Sequence, residues 1–201
     1  VTGVSVGGLP DGIVDTDMLA ALAVSDAKIA NTTITDGKIA NTTISEGKLA
    51  ASVNTITEAD QWRVTTGFTT DDANPIGANW ERADTRFDKI GTGMTESSGV
   101  FTFPSTGIWQ VDFHVYCYRV NSDVRFTSAT IQGTVDGGGN WVSRSNLYNN
   151  IGTTSALGVF SAMSPSVIFD VTNTSNDQIR FSTASSSDCV WEGSTSMNSQ
   201  A

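Results

Sequence analysis

Apolar and polar positions follow two different periods along this chain. Between Val14 and Val53 the period is ten residues: VDTDMLAALA, VSDAKIANTT, ITDGKIANTT and ISEGKLAASV follow one another without insertion. In the three clean copies the first and sixth positions are aliphatic, giving the pairs Val24 and Ile29, Ile34 and Ile39, Ile44 and Leu49. A spacing of five fits neither a sustained helix nor a plain alternating strand. A composite unit fits better. Ser25, Thr35 and Ser45 suit a helix N-cap. The acids that follow them, Asp26, Asp36 and Glu46, suit the positive end of a helical turn. The β-branched stretches Asn31–Ile34 and Asn41–Ile44 favour extended chain. Each unit is therefore predicted as one helical turn plus an extended link. A single turn is unstable alone, because helix nucleation is costly, and a unit this short cannot bury its own side chains, so copies must stack. Three chains around an axis let each aliphatic row close on itself. The sequence predicts a homotrimeric shaft with Val24, Ile29, Ile34, Ile39, Ile44 and Leu49 at the contacts between chains. Charge pairs between neighbouring chains would add only about 0–1 kcal/mol each, so the aliphatic rows supply most of the association.

From Gln61 onward the period becomes two, in short β-rich runs separated by turn residues. A strand is predicted over Gln61–Thr69, where Trp62, Val64 and Thr66 alternate, then a loop over Thr70–Gly77 and a short strand over Arg86–Ile90. Phe101 and Phe103 mark a strand over Gly99–Phe103, and Pro104–Gly107 turns. The clearest strand runs from Gly107 to Val120. Trp109, Val111, Phe113, Val115 and Cys117 fall on one face, and Gln110, Asp112, His114, Tyr116 and Tyr118 on the other. Trp109, Val111, Phe113 and Val115 are predicted as a row of the core, while the two tyrosines suit an interface. Further strands are predicted over Val124–Val135, Trp141–Tyr148, Leu157–Ala162, Ser166–Thr172 and Gln178–Thr183, with turns at Asp136–Asn140 and Asn173–Asp177. About eight to ten strands without a helical period predict a mainly β fold, an antiparallel sandwich or jelly roll.

Composition supports the same division. All seventeen aromatic residues lie from Trp62 onward and every arginine from Arg63 onward, while the repeats carry Lys28, Lys38 and Lys48. The predicted organisation is a Gly-rich linker over 1–13, a fibrous repeat shaft over 14–58 and a β head over 59–201. The net charge of -10 disfavours a phosphate backbone as partner, and no apolar run approaches the length of a membrane helix. Neither nucleic-acid binding nor membrane insertion is expected. Cys117 and Cys189, the only two cysteines, are too few for a disulfide framework and are read as buried thiols. The chain starts with Val1 and shows no signal segment, which reads as a fragment or a processed chain.

The repeat resembles the decapeptide-type repeats of fibre proteins of tailed bacteriophages: Thr or Ser, an acid, any residue, Lys, Ile or Leu, then Ala. Further on, FDKIGTG at Phe87 and SSGVFTFPSTGIWQVDFHV up to Val115 resemble the early strands of the globular head of complement's first component and of tumour necrosis factor-like domains. Phe87, Asp88, Gly99, Phe101, Pro104, Gly107, Trp109 and Phe113 carry that likeness. VIFDVTNTSNDQIRF, from Val167 to Phe181, resembles a later strand, turn and strand of the same family. The resemblance implies a ten-stranded jelly roll that trimerises through one sheet, often on a stalk. In one respect the sequence departs from it. The family closes with an aromatic-rich strand in the middle of the inner sheet, whereas Gly193–Ala201 reads GSTSMNSQA. The expectation is that the chain continues beyond Ala201.

No residue pattern points to catalysis. His114 is the single histidine and falls on the polar strand face, and no nucleophile-elbow pattern occurs. The cysteines lack zinc-ligand spacing. Asp136, Gly137, Gly138, Gly139 and Asn140 lack the lysine of a phosphate-binding loop and read as a hairpin turn. Asp71, Asp72, Asp84 and Asp88 read as solvated acids rather than calcium ligands. No catalytic residue, metal ligand or cofactor is expected. Loops are the usual recognition sites on a rigid scaffold, which makes Asn121–Asp123, Asp136–Asn140 and Ser185–Asp188 the candidate binding loops.

The resemblances imply a structural homotrimeric fibre of a tailed phage, on tail or capsid, at the virion surface. It would join other virion proteins through its N-terminal end and attach to a host-surface glycan or protein through its head. The alternative is a secreted or cell-surface bacterial binding module with a complement-like head. A glycan-cleaving spike would need paired carboxylates in a groove, and none is identified. These expectations rest on likeness to families, since fold alone does not fix function.

Overall fold

The structure of the protein, a computed structural model, describes Ile29, Ile34, Thr35, Ile39, Ile44 and residues 56–83, 88–120, 123–152 and 159–195. The chain divides into two compact units, Val1–Thr55 and Ile56–Ala201. In the first unit Ile29, Ile34, Ile39 and Ile44 are all exposed, between 41 and 53 %. Val24 and Leu49, and the turn-and-link unit predicted for the repeat, lie outside the described residues.

The second unit is mainly β, with no helix among the described residues, consistent with a jelly-roll sandwich. Every pairing is antiparallel. Strand β1 (Ala59–Asp60) pairs with β5 (Lys89–Ile90), β2 (Trp62–Val64) with β4 (Trp80–Arg82), and β8 (Gly107–Asp112) with β13 (Ser166–Val171). The other eight strands are linked through β14 (Gln178–Trp191). Its first half lies between β10 (Val124–Thr134) and β7 (Val100–Thr102), which extend outward to β11 (Val142–Ile151) and β6 (Thr95–Ser97). Its second half lies between β3 (Phe68–Ala73) and β9 (Val115–Arg119), and β9 continues to β12 (Phe160–Met163). The register against β3 shifts between Ala184 and Cys189, so Ser185–Asp188 forms a bulge. Bulges bend a strand, and a bent strand is how a chain turns a corner between two groups of strands.

The two groups meet across one core. Thr127 of β10 and Ser161 of β12 hydrogen-bond through their hydroxyls at 2.8 Å, and the Phe113 and Phe181 rings are 4.9 Å apart. Phe101 is enclosed by Trp62, Trp80 and Phe181, at centroid distances of 5.4, 5.0 and 5.3 Å. Burying one such side chain contributes about 1.5–3 kcal/mol. Trp191 is fully buried, and its indole Nε1–H donates to the Thr70 carbonyl at 3.1 Å.

Several predicted boundaries are corrected. The strand over Gln61–Thr69 is interrupted at Thr65–Gly67, where β2 ends and β3 begins. Thr70–Ala73, predicted as loop, belongs to β3, because pairing with β14 satisfies its backbone while Asp71 and Asp72 stay exposed. Tertiary pairing overrides the low strand propensity of aspartate here. The long strand over Gly107–Val120 is two strands, β8 and β9. They separate at Phe113, whose N–H donates to the Pro165 carbonyl at 2.9 Å instead of to a neighbouring ladder. Ser185–Asp188 is a bulge inside β14 and not a free loop. The strand predicted over Gln178–Thr183 is longer than expected, since β14 runs on to Trp191 and Cys189–Trp191 lies between β3 and β9.

Candidate interaction face

Alternation along β8 and β9 survives the break between them. Val111, Phe113, Val115 and Cys117 are buried, and Trp109 is half-buried against the same core. The opposite face is a strip whose members are exposed at Ile108, Gln110, Asp112 and His114 and half-buried at Tyr116 and Tyr118. Cross-strand partners share a face, so register assigns its members. Ile108 stands opposite Asp170, Gln110 opposite Ile168 and Asp112 opposite Ser166 on the β8–β13 pair. Tyr116 stands opposite Ala162 and Tyr118 opposite Phe160 on the β9–β12 pair.

The strip has three parts. At one end, Ile108 and Ile168 are 70 and 68 % exposed. At the other, Phe160 is 59 % exposed and its ring lies 6.0 Å from Tyr116 and 5.6 Å from Tyr118. Val190 of β14 extends the aromatic end, opposite Tyr118. One position on, the Glu192 N–H donates to the Tyr116 carbonyl at 3.3 Å.

Between the two apolar ends lies a polar belt. His114 Nδ1 and the Ser164 hydroxyl are 2.9 Å apart. Gln110 Nε2 donates to Asp112 at 3.1 Å and to the Ser166 hydroxyl at 2.5 Å. Hydrogen bonds from Ser166 and then Gln110 hold the Asp112 carboxyl below the usual aspartate range, and nearby His114 lowers it further. Asp112 is thus engaged by Ser166 and Gln110, and the imidazole by Ser164. Among the described residues no group of three or more His, Cys, Asp or Glu is placed to hold a metal ion, and no helix is long and apolar enough to cross a membrane.

No family model and no curated protein matches this chain. Among solved structures it is similar to the Eiger TNF of S. frugiperda, at 10 % identity and a TM-score of 0.45, covering 69 % of this chain and 87 % of that one.

The candidate binding loops are engaged internally where they are described. The Asp136 carboxylate accepts from Thr134 Oγ1 at 2.6 Å, from the Asn140 N–H at 2.9 Å and from Asn140 Nδ2 at 2.6 Å. With the Thr134 bond contributing most, these hold its carboxyl down at about 2. Gly137 and Gly138 sit at φ 71° and 96°, which explains the glycine run, since other residues avoid that region. In the β14 bulge, Ser186 Oγ accepts the Arg125 N–H at 2.7 Å, and Ser187 Oγ–H donates to the Asp123 carbonyl at 3.2 Å. Asn121 and Ser122 lie outside the described residues. Cys117 and Cys189 are free and buried, and burial pushes both thiols up.

Phe160, Ile108 and Ile168 were not singled out from sequence. Ile108 could have been placed by the alternation of β8, on the face of Gln110 and Asp112, but nothing local marks Phe160 and Ile168, because the face of β12 and β13 becomes defined only once they pair with β9 and β8.

Proposed function

We propose that this chain is a non-enzymatic structural fibre protein of a tailed phage, assembled as a homotrimer, whose β head associates with other copies and is displayed for host attachment. The observation that carries the self-association is the strip with Tyr116, Tyr118 and Phe160 at one end and Ile108 and Ile168 at the other. Single exposed apolar residues are ordinary on a protein surface, but clustered ones such as Phe160 with Tyr116 and Tyr118 mark an interaction site, and aromatic rings are what interface centres are enriched in. A second feature of the same chain favours further copies of itself as the partner. Ile29, Ile34, Ile39 and Ile44 are also exposed, in a ten-residue repeat that needs stacked chains to bury them. The phage assignment is supported by the likeness of that repeat to phage fibre repeats.

Sedimentation equilibrium of the intact chain at micromolar concentration tests the assembly. A trimeric mass is expected, and a Tyr118→Ser/Phe160→Ser variant should assemble more weakly while keeping its β signature. A monomeric mass would overturn the self-association. Labelling virions with antibody against this chain tests the phage assignment.

A further inference from the structure

We propose that protonation of His114 strengthens association through the strip, so that mild acid tightens the assembly and neutral pH loosens it; this rests on the self-association reading above. The polar belt lies between the two apolar ends, so any copy that covers both ends must also cover the belt. Histidine is the side-chain type whose charge ordinarily changes between about pH 5 and 8, and His114 is the single histidine of the chain.

Among the described residues the groups facing His114 are acidic or uncharged. On its own strands they are Asp112 and Tyr116. The turn between β12 and β13 offers Ser164 and Pro165, and the start of β13 offers Ser166, none of which titrates. Just past β14 comes Glu192, beside Tyr116. Asp170 lies further along, opposite Ile108. No Lys or Arg stands among these positions. Ser166 and Gln110 keep Asp112 ionised in mild acid. Covering the belt at neutral pH therefore takes carboxylates out of water and brings like charges from several copies together, both of which are unfavourable. An imidazolium beside each Asp112 offsets that charge copy by copy.

The sign follows from linkage. Neutralising the belt favours the protonated imidazole in the assembly, so association takes up protons and strengthens as pH falls. Nδ1 is held by Ser164, which leaves Nε2 to take part in the belt of the neighbouring copy.

Sedimentation equilibrium of the full chain at pH 7.5, 6.5 and 5.5, at fixed ionic strength, tests the proposal. From the highest pH to the lowest, the half-dissociation concentration should fall by about three- to tenfold, as expected when association takes up protons. In His114→Asn the ratio between the two pH values should fall close to one, and in Asp112→Asn it should shrink. An acid gain that survives intact in His114→Asn, arising instead from the net charge of -10, would overturn this proposal and leave the self-association reading standing. So would a wild-type assembly indifferent to pH. A monomer at every pH would overturn the self-association reading and this proposal with it.

Discussion

Replacing Phe101 by alanine should be among the most damaging single changes to the head. The ring is 1 % exposed, and Trp62, Trp80 and Phe181 surround it at 5.0 to 5.4 Å. Truncation loses the transfer energy of the ring and leaves a cavity. Phe→Ala changes in such sites cost about 3–5 kcal/mol, and three aromatic contacts place this one near the middle of that range or above it, at about 4 kcal/mol. Trp62 and Trp80 meet Phe101 edge-on, at 81° and 89°. Phe101→Leu keeps most of the volume and loses that geometry, so it should cost about 1–2 kcal/mol. In a domain of this size each kcal/mol moves the melting temperature by about 2–4 °C, which predicts a drop of roughly 10 °C for alanine and a few degrees for leucine. Thermal and urea unfolding followed by tryptophan fluorescence and near-ultraviolet circular dichroism would measure both. Tyr148→Ala, at a residue 70 % exposed, is the control and should stay within about 0.5 kcal/mol. An alanine variant that loses less than about 1 kcal/mol would mean that the aromatic cluster does not enclose Phe101.

Gly99→Ala should cost more than about 2 kcal/mol in urea unfolding, because Gly99 has φ 81° and an added Cβ would run into the Ile76 carbonyl oxygen. Asp136 should titrate at about 2 by NMR. Its folded-state value is depressed, so its stabilising contribution is present above about pH 4 and is lost as pH falls toward about 2; Asp136→Asn should remove that part of the pH dependence. Ile39→Asp, at an exposed repeat position, should weaken assembly of the intact chain while the β unit keeps its own melting transition. A wild-type sedimentation profile for that variant would count against the inward-facing rows.

The features legible in the sequence were those with a local cause. Alternation from Trp109 to Tyr118 could be read because side chains change sides at every residue of a strand, and the burial pattern follows it through the break at Phe113 and His114. The turn at Asp136–Asn140 could be read because its glycines mark positive φ. What escaped depends on distant partners. The break itself follows from the Phe113 N–H meeting Pro165, and the serines of the β14 bulge look like a loop until their bonds to Arg125 and Asp123 are seen. Likewise, half of the strip could be named from Tyr116 and Tyr118. The other half, with Phe160 and Ile168, needed the register of β12 and β13.

The position of β14 also sets when the head can form during synthesis. Trp191 hydrogen-bonds a carbonyl 121 residues earlier in the chain, and the same strand separates β10 from β7 and β3 from β9. A ribosome delivers residues in order, so most of the other strands emerge before the one that joins them. Until then their edges are open templates for pairing with other chains. Topologies dominated by such distant pairings fold slowly and stay exposed to aggregation meanwhile. The nascent β unit therefore depends on β14 for closure as well as stability, and shielding of the waiting edges should raise its yield.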